Sequence, residues 1–277
     1  MYKRPLLWRI FSGLFITVIV LFSILPVLWM ISTSIKTTQE ETANPPVLIP
    51  EHPTLQAYID GWQSKDFTGY LLNTVYVSVI TTVVCVSMAS LAGYGFSRFF
   101  IRGKNLILTI IFVFQMFPTT VVIIPYFLMM SSWNLLNDPW SLIISYASFS
   151  LPLCIWMLKA FFDAVPQELD EAACLDGCNS FQSYWRIILP LTRPGMIASV
   201  IFTFLGAWKE YLFALTLCSK QKQWVLSVAI TSFIGEHSTS WNQMMAVSLL
   251  TMTPIIIAFL FLQNYLIGGM TAGAVKS

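Results

Sequence analysis

Charged side chains are scarce in this 277-residue sequence: Asp, Glu, Lys and Arg together make up 10%, against roughly 25% in an ordinary soluble domain. With 56% of residues hydrophobic and a mean hydropathy of +0.72, that deficit excludes a soluble globular domain and points to an integral membrane protein. A large excess of one charge is missing too. The net charge is +2 with no basic cluster, so nucleic acid is not an expected partner. Histidine is nearly absent: His52 and His237 have no Cys or His neighbour at ligand spacing, which argues against metal and catalytic roles. The five cysteines make no disulfide framework, because Cys85 and Cys154 fall inside apolar runs and Cys174 and Cys178 lie one helical turn apart in a polar segment. The phosphate-cradling pattern G-x-x-x-x-G-K-[ST] is also lacking. The only Gly-Lys pair, Gly103-Lys104, has neither the earlier glycine nor a following Ser or Thr. No catalytic residue, metal or bound cofactor is therefore expected, and the absence of an internal repeat argues against the paired halves of a secondary transporter.

What is present is a series of apolar runs. The stretch from Ile10 to Ile35 carries no charge and exceeds the roughly 20 residues that cross a bilayer as a helix. A signal peptide has a shorter apolar region and a small-residue cleavage site, so this run is expected to be an uncleaved first span, kinked at Pro26. Continuing along the chain, the pattern predicts an all-α membrane protein: one domain over residues 1–277, with six transmembrane helices at about 10–33, 70–96, 106–130, 140–160, 195–218 and 244–268. The second ends in Ala89, Ser90, Ala92, Gly93 and Gly95, small residues that let helices approach closely in lipid. Pro118 and Pro125 should bend or break the third, and the fourth carries Pro152. Residues 36–68 are polar and Pro-rich and read as an external loop. Residues 224–235 are apolar but too few to cross a core about 30 Å thick, so they predict an external or re-entrant helix.

Charge asymmetry sets the expected orientation. With the N-terminus inside, Lys3, Arg4, Arg9, Arg98, Arg102, Lys104, Lys159, Arg186, Arg193 and Lys276 are cytoplasmic, while only Lys36, Lys65, Lys220 and Lys222 lie outside. That distribution satisfies the positive-inside rule and puts both termini in the cytoplasm.

One polar segment, residues 163–194, stands between the fourth and fifth spans. Pro166 can open a helix through Leu175, Asp176-Gly177 can close it, and Asn179 with Gln182 three residues on forms a capping-box pattern for a second helix. On that second helix Phe181, Tyr184, Trp185 and Ile188 recur at helical spacing and predict one apolar, aromatic stripe. Pro190 disfavours helical geometry at Leu189, so the second helix should stop there.

Within this segment Glu171-Ala172-Ala173, then Gly177 after three residues, then Ile187, Leu189 and Pro190 after nine more resemble the EAA signature of the permease subunits of bacterial ATP-binding-cassette importers. Asp176 extends the match to the carbohydrate-importer form, with Cys178 where that form has alanine. The segments 73–78 and 204–215 and the tail from Leu262 to Ser277 are similar to the maltose-type second permease subunit, so the resemblance covers essentially the whole chain. It implies a sugar importer permease in the bacterial cytoplasmic (inner) membrane that forms half of a translocation path. It implies as partners a second homologous permease in a heterodimer, two ATP-binding subunits that carry the ATP and Mg, and an extracytoplasmic substrate-binding protein. The ATPase-coupling residues implied are Glu171, Ala172, Ala173, Asp176, Gly177, Ile187, Leu189 and Pro190, with a further contact from the tail at Gly273, Ala274, Val275 and Lys276. The small Ala172 and Ala173 would permit close contact with the ATPase, and Glu171 would bond across the interface or cap locally.

Candidates for the substrate path are polar or aromatic residues at membrane depth: Gln115, Trp208, Lys209, Glu210, Tyr211, Asn242 and Thr251. Trp208 and Tyr211 could offer faces on which sugars stack; Glu210 is the lone carboxylate within a span and Lys209 the lone cation. Lys209 stands where similar permeases more often have asparagine, which opens the alternative of an anionic sugar derivative or a glycerol phosphate as cargo.

Overall fold

The apolar runs fold as helices because in lipid only an internally hydrogen-bonded backbone is tolerated. The computed structural model describes residues 6–235 and 238–272. Among them the only extended pairing is an isolated antiparallel bridge between Ile234 and Thr239. The helices in order are α1 (Leu6–Ser34), α2 (Thr38–Glu41), α3 (Gln56–Gln63), α4 (Phe67–Arg98), α5 (Lys104–Phe114), α6 (Thr119–Ser132) and α7 (Pro139–Asp163). They continue with α8 (Glu168–Leu175), α9 (Ser180–Ser183), α10 (Leu189–Leu191), α11 (Arg193–Lys209), α12 (Leu212–Leu217), α13 (Leu226–Thr231) and α14 (Trp241–Ala272). A π-helical turn, Tyr184–Ile188, joins α9 to α10.

Among the described residues four helices are long and apolar enough to cross a membrane: Phe11–Ser34, Phe67–Arg98, Pro139–Asp163 and Trp241–Leu260. Two bent pairs raise the number to six if each is one span: α5 with α6, bent by 94°, and Ser180–Leu191 with α11, bent by 79°. The first bend falls at residues 115–118, where Pro118 takes an extended ψ of 132° and cannot continue the helix begun by α5. The other prolines behave differently: Pro26, Pro125, Pro152 and Pro254 all lie inside continuous helices.

The chain divides into two compact units. The first contains residues 1–67 and 230–254. Its Pro-rich segment is held by one carboxylate: Glu40 Oε1 accepts the N–H groups of Glu51 and His52 at 2.9 and 3.0 Å, and Oε2 closes a capping box on Thr37. Asn242, in the first turn of α14, donates its backbone N–H to Glu41 at 2.6 Å and its side-chain amide to the Lys36 carbonyl at 3.2 Å. Lys65 donates to both the carbonyl and the hydroxyl of Ser232 at 2.6 Å and lies over the Phe233 ring. Desolvation there pulls its pKa below the usual lysine value.

The second unit contains residues 68–229 and 255–277. Its core is the packing of α4, α7 and α11. Gly93 of α4 meets α7 so closely that a Cβ there would lie 3.1 Å from the Lys159 nitrogen and 3.3 Å from Leu158 Cβ. This is the close approach that the small residues at the end of the second span foretold. One buried cluster gathers Val77, Met130, Leu142, Phe213 and Leu217. Another gathers Cys85, Cys154, Leu158, Phe162, Tyr184 and Ile188, and so reaches into the polar segment.

Candidate coupling loop and translocation cavity

The segment between α7 and α11 is built as its local chemistry dictates. Gln167 is the N-cap residue of α8, one position beyond Pro166. The helix ends in a Schellman turn: Gly177 has φ +86°, its N–H bonds the Cys174 carbonyl at 3.0 Å, and the Cys178 N–H bonds the Ala173 carbonyl at 2.9 Å. Asn179 and Gln182 then close a reciprocal capping box, with bonds of 2.8 and 2.9 Å.

Two expectations for this segment are corrected. The second helix does not stop at Leu189, which is helical at φ −60° and ψ −44°. The chain widens into a π turn over Tyr184–Ile188, which relieves the clash a proline ring makes with the carbonyl one α-turn earlier, and the bend comes at Thr192 instead. The aromatic stripe is also divided. Tyr184 and Ile188 are buried in the unit's own core, whereas Phe181 and Trp185 are 65% and 61% exposed.

The signature alanines part company in the same way. Ala172 and Glu171 are exposed but Ala173 is 2% exposed, so it offers almost no surface to another subunit. Asp176 and Gly177 are exposed at the turn; Ile187 and Pro190 are half-buried and Leu189 half-buried beside the core cluster. Leu175, not singled out from sequence, is 89% exposed, so the loop's outer surface carries Leu175, Phe181 and Trp185 as well as Glu171.

A cluster that the sequence did not reveal fixes this loop to the spans. Arg98, at the end of α4, makes an ion pair with Asp170 of α8 at 2.7 Å and donates to the Val165 carbonyl at 2.8 Å. The other Asp170 oxygen accepts from Ser183 at 2.6 Å and from the Tyr94 hydroxyl at 3.1 Å. Ser97 donates to Asp163 at 2.7 Å, and Ser90 bonds the Tyr184 hydroxyl at 2.8 Å. Helices α4, α7, α8 and α9 are thereby joined through charged and hydroxyl groups, of which the Arg98 side chain, Tyr94, Ser90, Ser97 and Ser183 are buried and Asp163 is exposed.

The candidate path residues separate. The fifth run is not one helix: it leaves helical geometry at Glu210, where ψ is 134°, and resumes as α12. The Glu210 carboxylate accepts the N–H groups of Phe213 and Ala214 at 3.0 and 3.2 Å, so the lone acid caps the resumed helix, where a negative charge is favoured. Glu210 and Gln115 line one cavity of about 230 Å³ with Thr119, Tyr146, Phe149 and Ser150. The two helix breaks thus meet at one place.

The remaining candidates do not join them there. Trp208 is buried and packed on Phe204 at 5.4 Å, which removes it as an open sugar platform. Lys209 is exposed and Tyr211 half-buried in the core cluster. Asn242 and Thr251 belong to the first unit, where Asn242 braces the loop and Thr251 bonds the Ser248 carbonyl of its own helix. Gly273, Ala274, Val275 and Lys276 lie outside the described residues.

Comparison with known proteins gives these features a context. Residues 86–271 match the family described as the binding-protein-dependent transport system inner membrane component. The chain is similar to the sulfoquinovosyl glycerol transport system permease protein of Agrobacterium fabrum, 31% identical over 94% of this chain and 91% of the relative. It is also similar to the trehalose transport system permease protein of Mycobacterium tuberculosis, 32% identical over 99% of this chain and 98% of the relative. Among solved structures, a chain of a bacterial ABC transporter involved in the import of the acidic polysaccharide alginate shares the fold, with a TM-score of 0.83 and 22% identity over 96% of this chain and 99% of that one.

Proposed function

Because the chain belongs to the family of inner membrane components of binding-protein-dependent transport systems, we propose that it is the membrane-spanning permease subunit of an ATP-driven sugar importer and forms half of the translocation path. In this family ATP hydrolysis lies on separate subunits. The proposed assembly contains this chain, a second homologous permease, two ATP-binding subunits and a substrate-binding protein outside the membrane. In this reading the chain has six spans and both termini in the cytoplasm, which the distribution of Lys and Arg supports, and the loop of α8 and α9 then faces the side where ATP is.

The observation that carries the proposal is the construction of that loop. It presents Glu171, Leu175, Phe181 and Trp185 outward while Asp170 is fastened to Arg98 beneath them. An exposed apolar and acidic surface on a rigid mount suits transmission of force from an ATPase subunit. When that subunit moves the loop, the Arg98–Asp170 link and the packing of Tyr184 on α4 and α7 carry the displacement into the spans. Gly177→Pro cannot adopt the positive φ and Glu171→Lys reverses the outward charge. Uptake and substrate-stimulated ATPase of the reconstituted transporter should both fall while membrane levels of protein persist; normal uptake in both variants would remove the loop from the mechanism.

The cavity lined by Gln115, Tyr146, Phe149 and Glu210 is the proposed contribution to the substrate path, with hydroxyl and amide groups beside aromatic walls as a neutral sugar requires. Exposed Lys209 in the last turn of α11 favours a second reading, an anionic sugar derivative or a glycerol phosphate as cargo. Lys209→Asn separates them. A neutral-sugar importer tolerates the change, whereas an importer of anions loses uptake with its ATPase still coupled.

A further inference from the structure

The first unit holds a cation with no hydrogen-bond or ion-pair partner for its ammonium among the described residues. Lys36 follows the last turn of α1 and is 2% exposed, and its ammonium lies 4.2 Å from the centre of the Trp29 ring. No hydrogen bond or ion pair reaches that ammonium from any described residue; the hydrogen bonds of Lys36 are made by its backbone. It lines a cavity of about 340 Å³ together with Trp29, Thr33, Glu40, Glu41, Trp241 and Met245. Thr33 Oγ1 is likewise buried and has no hydrogen-bond partner among the described residues. Burying a charge and a hydroxyl without partners is costly, and here both line the same cavity. The carboxylates nearby are engaged elsewhere. Both Glu40 oxygens hold backbone N–H groups of Thr37, Glu51 and His52, and Glu41 holds that of Asn242.

The surroundings identify the kind of anion. The most apolar stretch of α1 buries none of its residues within the structure, and the buried Thr33 and Ser34 at the end of the helix bring it to this cavity. Beside it, Leu48 and Ile49 are 69% and 83% exposed, and Ser32 ties the Leu48 carbonyl to the end of α1 at 2.5 Å. Exposed aliphatic side chains, two tryptophans and a sheltered lysine at the end of a span mark the boundary between acyl chains and water. We propose that the cavity seats the phosphate of a phospholipid headgroup on Lys36 and Thr33, with Leu48 and Ile49 against its acyl chains. Glu41 on the same wall suits a headgroup that donates hydrogen bonds, of which ethanolamine is the simplest.

Native mass spectrometry of the full-length chain, with the subunits that copurify, tests this directly. Delipidated protein is titrated with phosphatidylethanolamine, with diacylglycerol and with inorganic phosphate. One phosphatidylethanolamine per chain should be retained, diacylglycerol should not bind, and inorganic phosphate should fail to displace the lipid. Lys36→Met should weaken lipid binding about tenfold, as expected for loss of a charged hydrogen-bond partner, and Lys36→Arg should restore it. Should Lys36→Met not accumulate in the membrane, Thr33→Val, which breaks no bond in the structure, is expected to weaken binding in the same direction. Equal lipid binding by wild type and either variant would overturn the proposal. So would displacement of the lipid by inorganic phosphate, or a carbodiimide cross-link from Lys36 to a carboxylate of a copurifying subunit.

Discussion

Arg98 makes a bidirectional contribution that few surface arginines make: its guanidinium meets Asp170 at 2.7 Å with the two side chains 7% and 19% exposed. Exposed ion pairs contribute little, but removing one partner of a sheltered pair strands the other charge. Arg98→Met should therefore lower stability by about 2 kcal/mol or more, read as a reduced unfolding temperature in detergent and faster proteolysis between α7 and α11. Adding Asp170→Asn to that background should recover part of the loss, because no buried charge is then left alone. Glu40 gives a residue-scale prediction with a pH sign. The N–H of Thr37, followed by that of His52, pulls its pKa from 4.5 to about 2. A carboxylate whose folded pKa is depressed stabilises the fold fully above its unfolded value, and that stabilisation is lost as pH falls through the folded one. The stability difference between wild type and Glu40→Gln should thus be constant above about pH 5 and shrink toward pH 2; a difference unchanged over that range would remove the carboxylate's role in holding the Pro-rich segment.

At the scale of elements, α11 depends on Gly195 for its approach to α7. A Cβ on that residue would overlap the Phe161 side chain at Cγ and Cδ2, atoms near the root of the ring that cannot swing aside freely. Gly195→Val should separate the two helices and lower stability by about 1–3 kcal/mol, visible as a lower unfolding temperature; a neutral result would show that Phe161 has an alternative rotamer. How far elements could be read from sequence depended on whether their causes were local. Gly177 and the Asn179–Gln182 pair act within a few residues, so the turn and the second helix start were legible. Pro190 was misjudged because the bias against α geometry at the residue before proline is a preference that Leu189 overrides, while the π turn removes the separate clash of the ring with the carbonyl one turn earlier. Glu210 looked like a charge stranded in a span because nothing in the local pattern announces that the helix breaks beside it. The Arg98–Asp170 pair was invisible for a different reason: it joins residues that only the packing of α4 on α7 brings together.

For the whole molecule, the exposed apolar surface argues that this chain does not work alone. The most apolar 18-residue stretch within Phe11–Ser34 buries none of its residues and that within Trp241–Leu260 buries 17%, whereas those within Phe67–Arg98 and Pro139–Asp163 each bury 44%. Lipid can cover such helices, but in the proposed orientation it does not cover the outward Leu175, Phe181 and Trp185 of the polar loop. The cavity at the two helix breaks is lined by α6, α7, α11 and α12, and in the proposed assembly it is one chain's share of the path. Affinity purification of the full-length chain from its native membrane should recover one copy of it, one related permease and two ATPase subunits, with uptake restored only when all are reconstituted together with the substrate-binding protein. Phe181→Asp and Trp185→Asp place charges on the exposed face and leave the buried Tyr184 and Ile188 untouched. In that pair of substitutions the ATPase subunits should be lost from the purified complex while the second permease remains. Recovery of an active single chain, or retention of the ATPase subunits by the doubly substituted loop, would contradict the assembly at the points where the structure makes its claim.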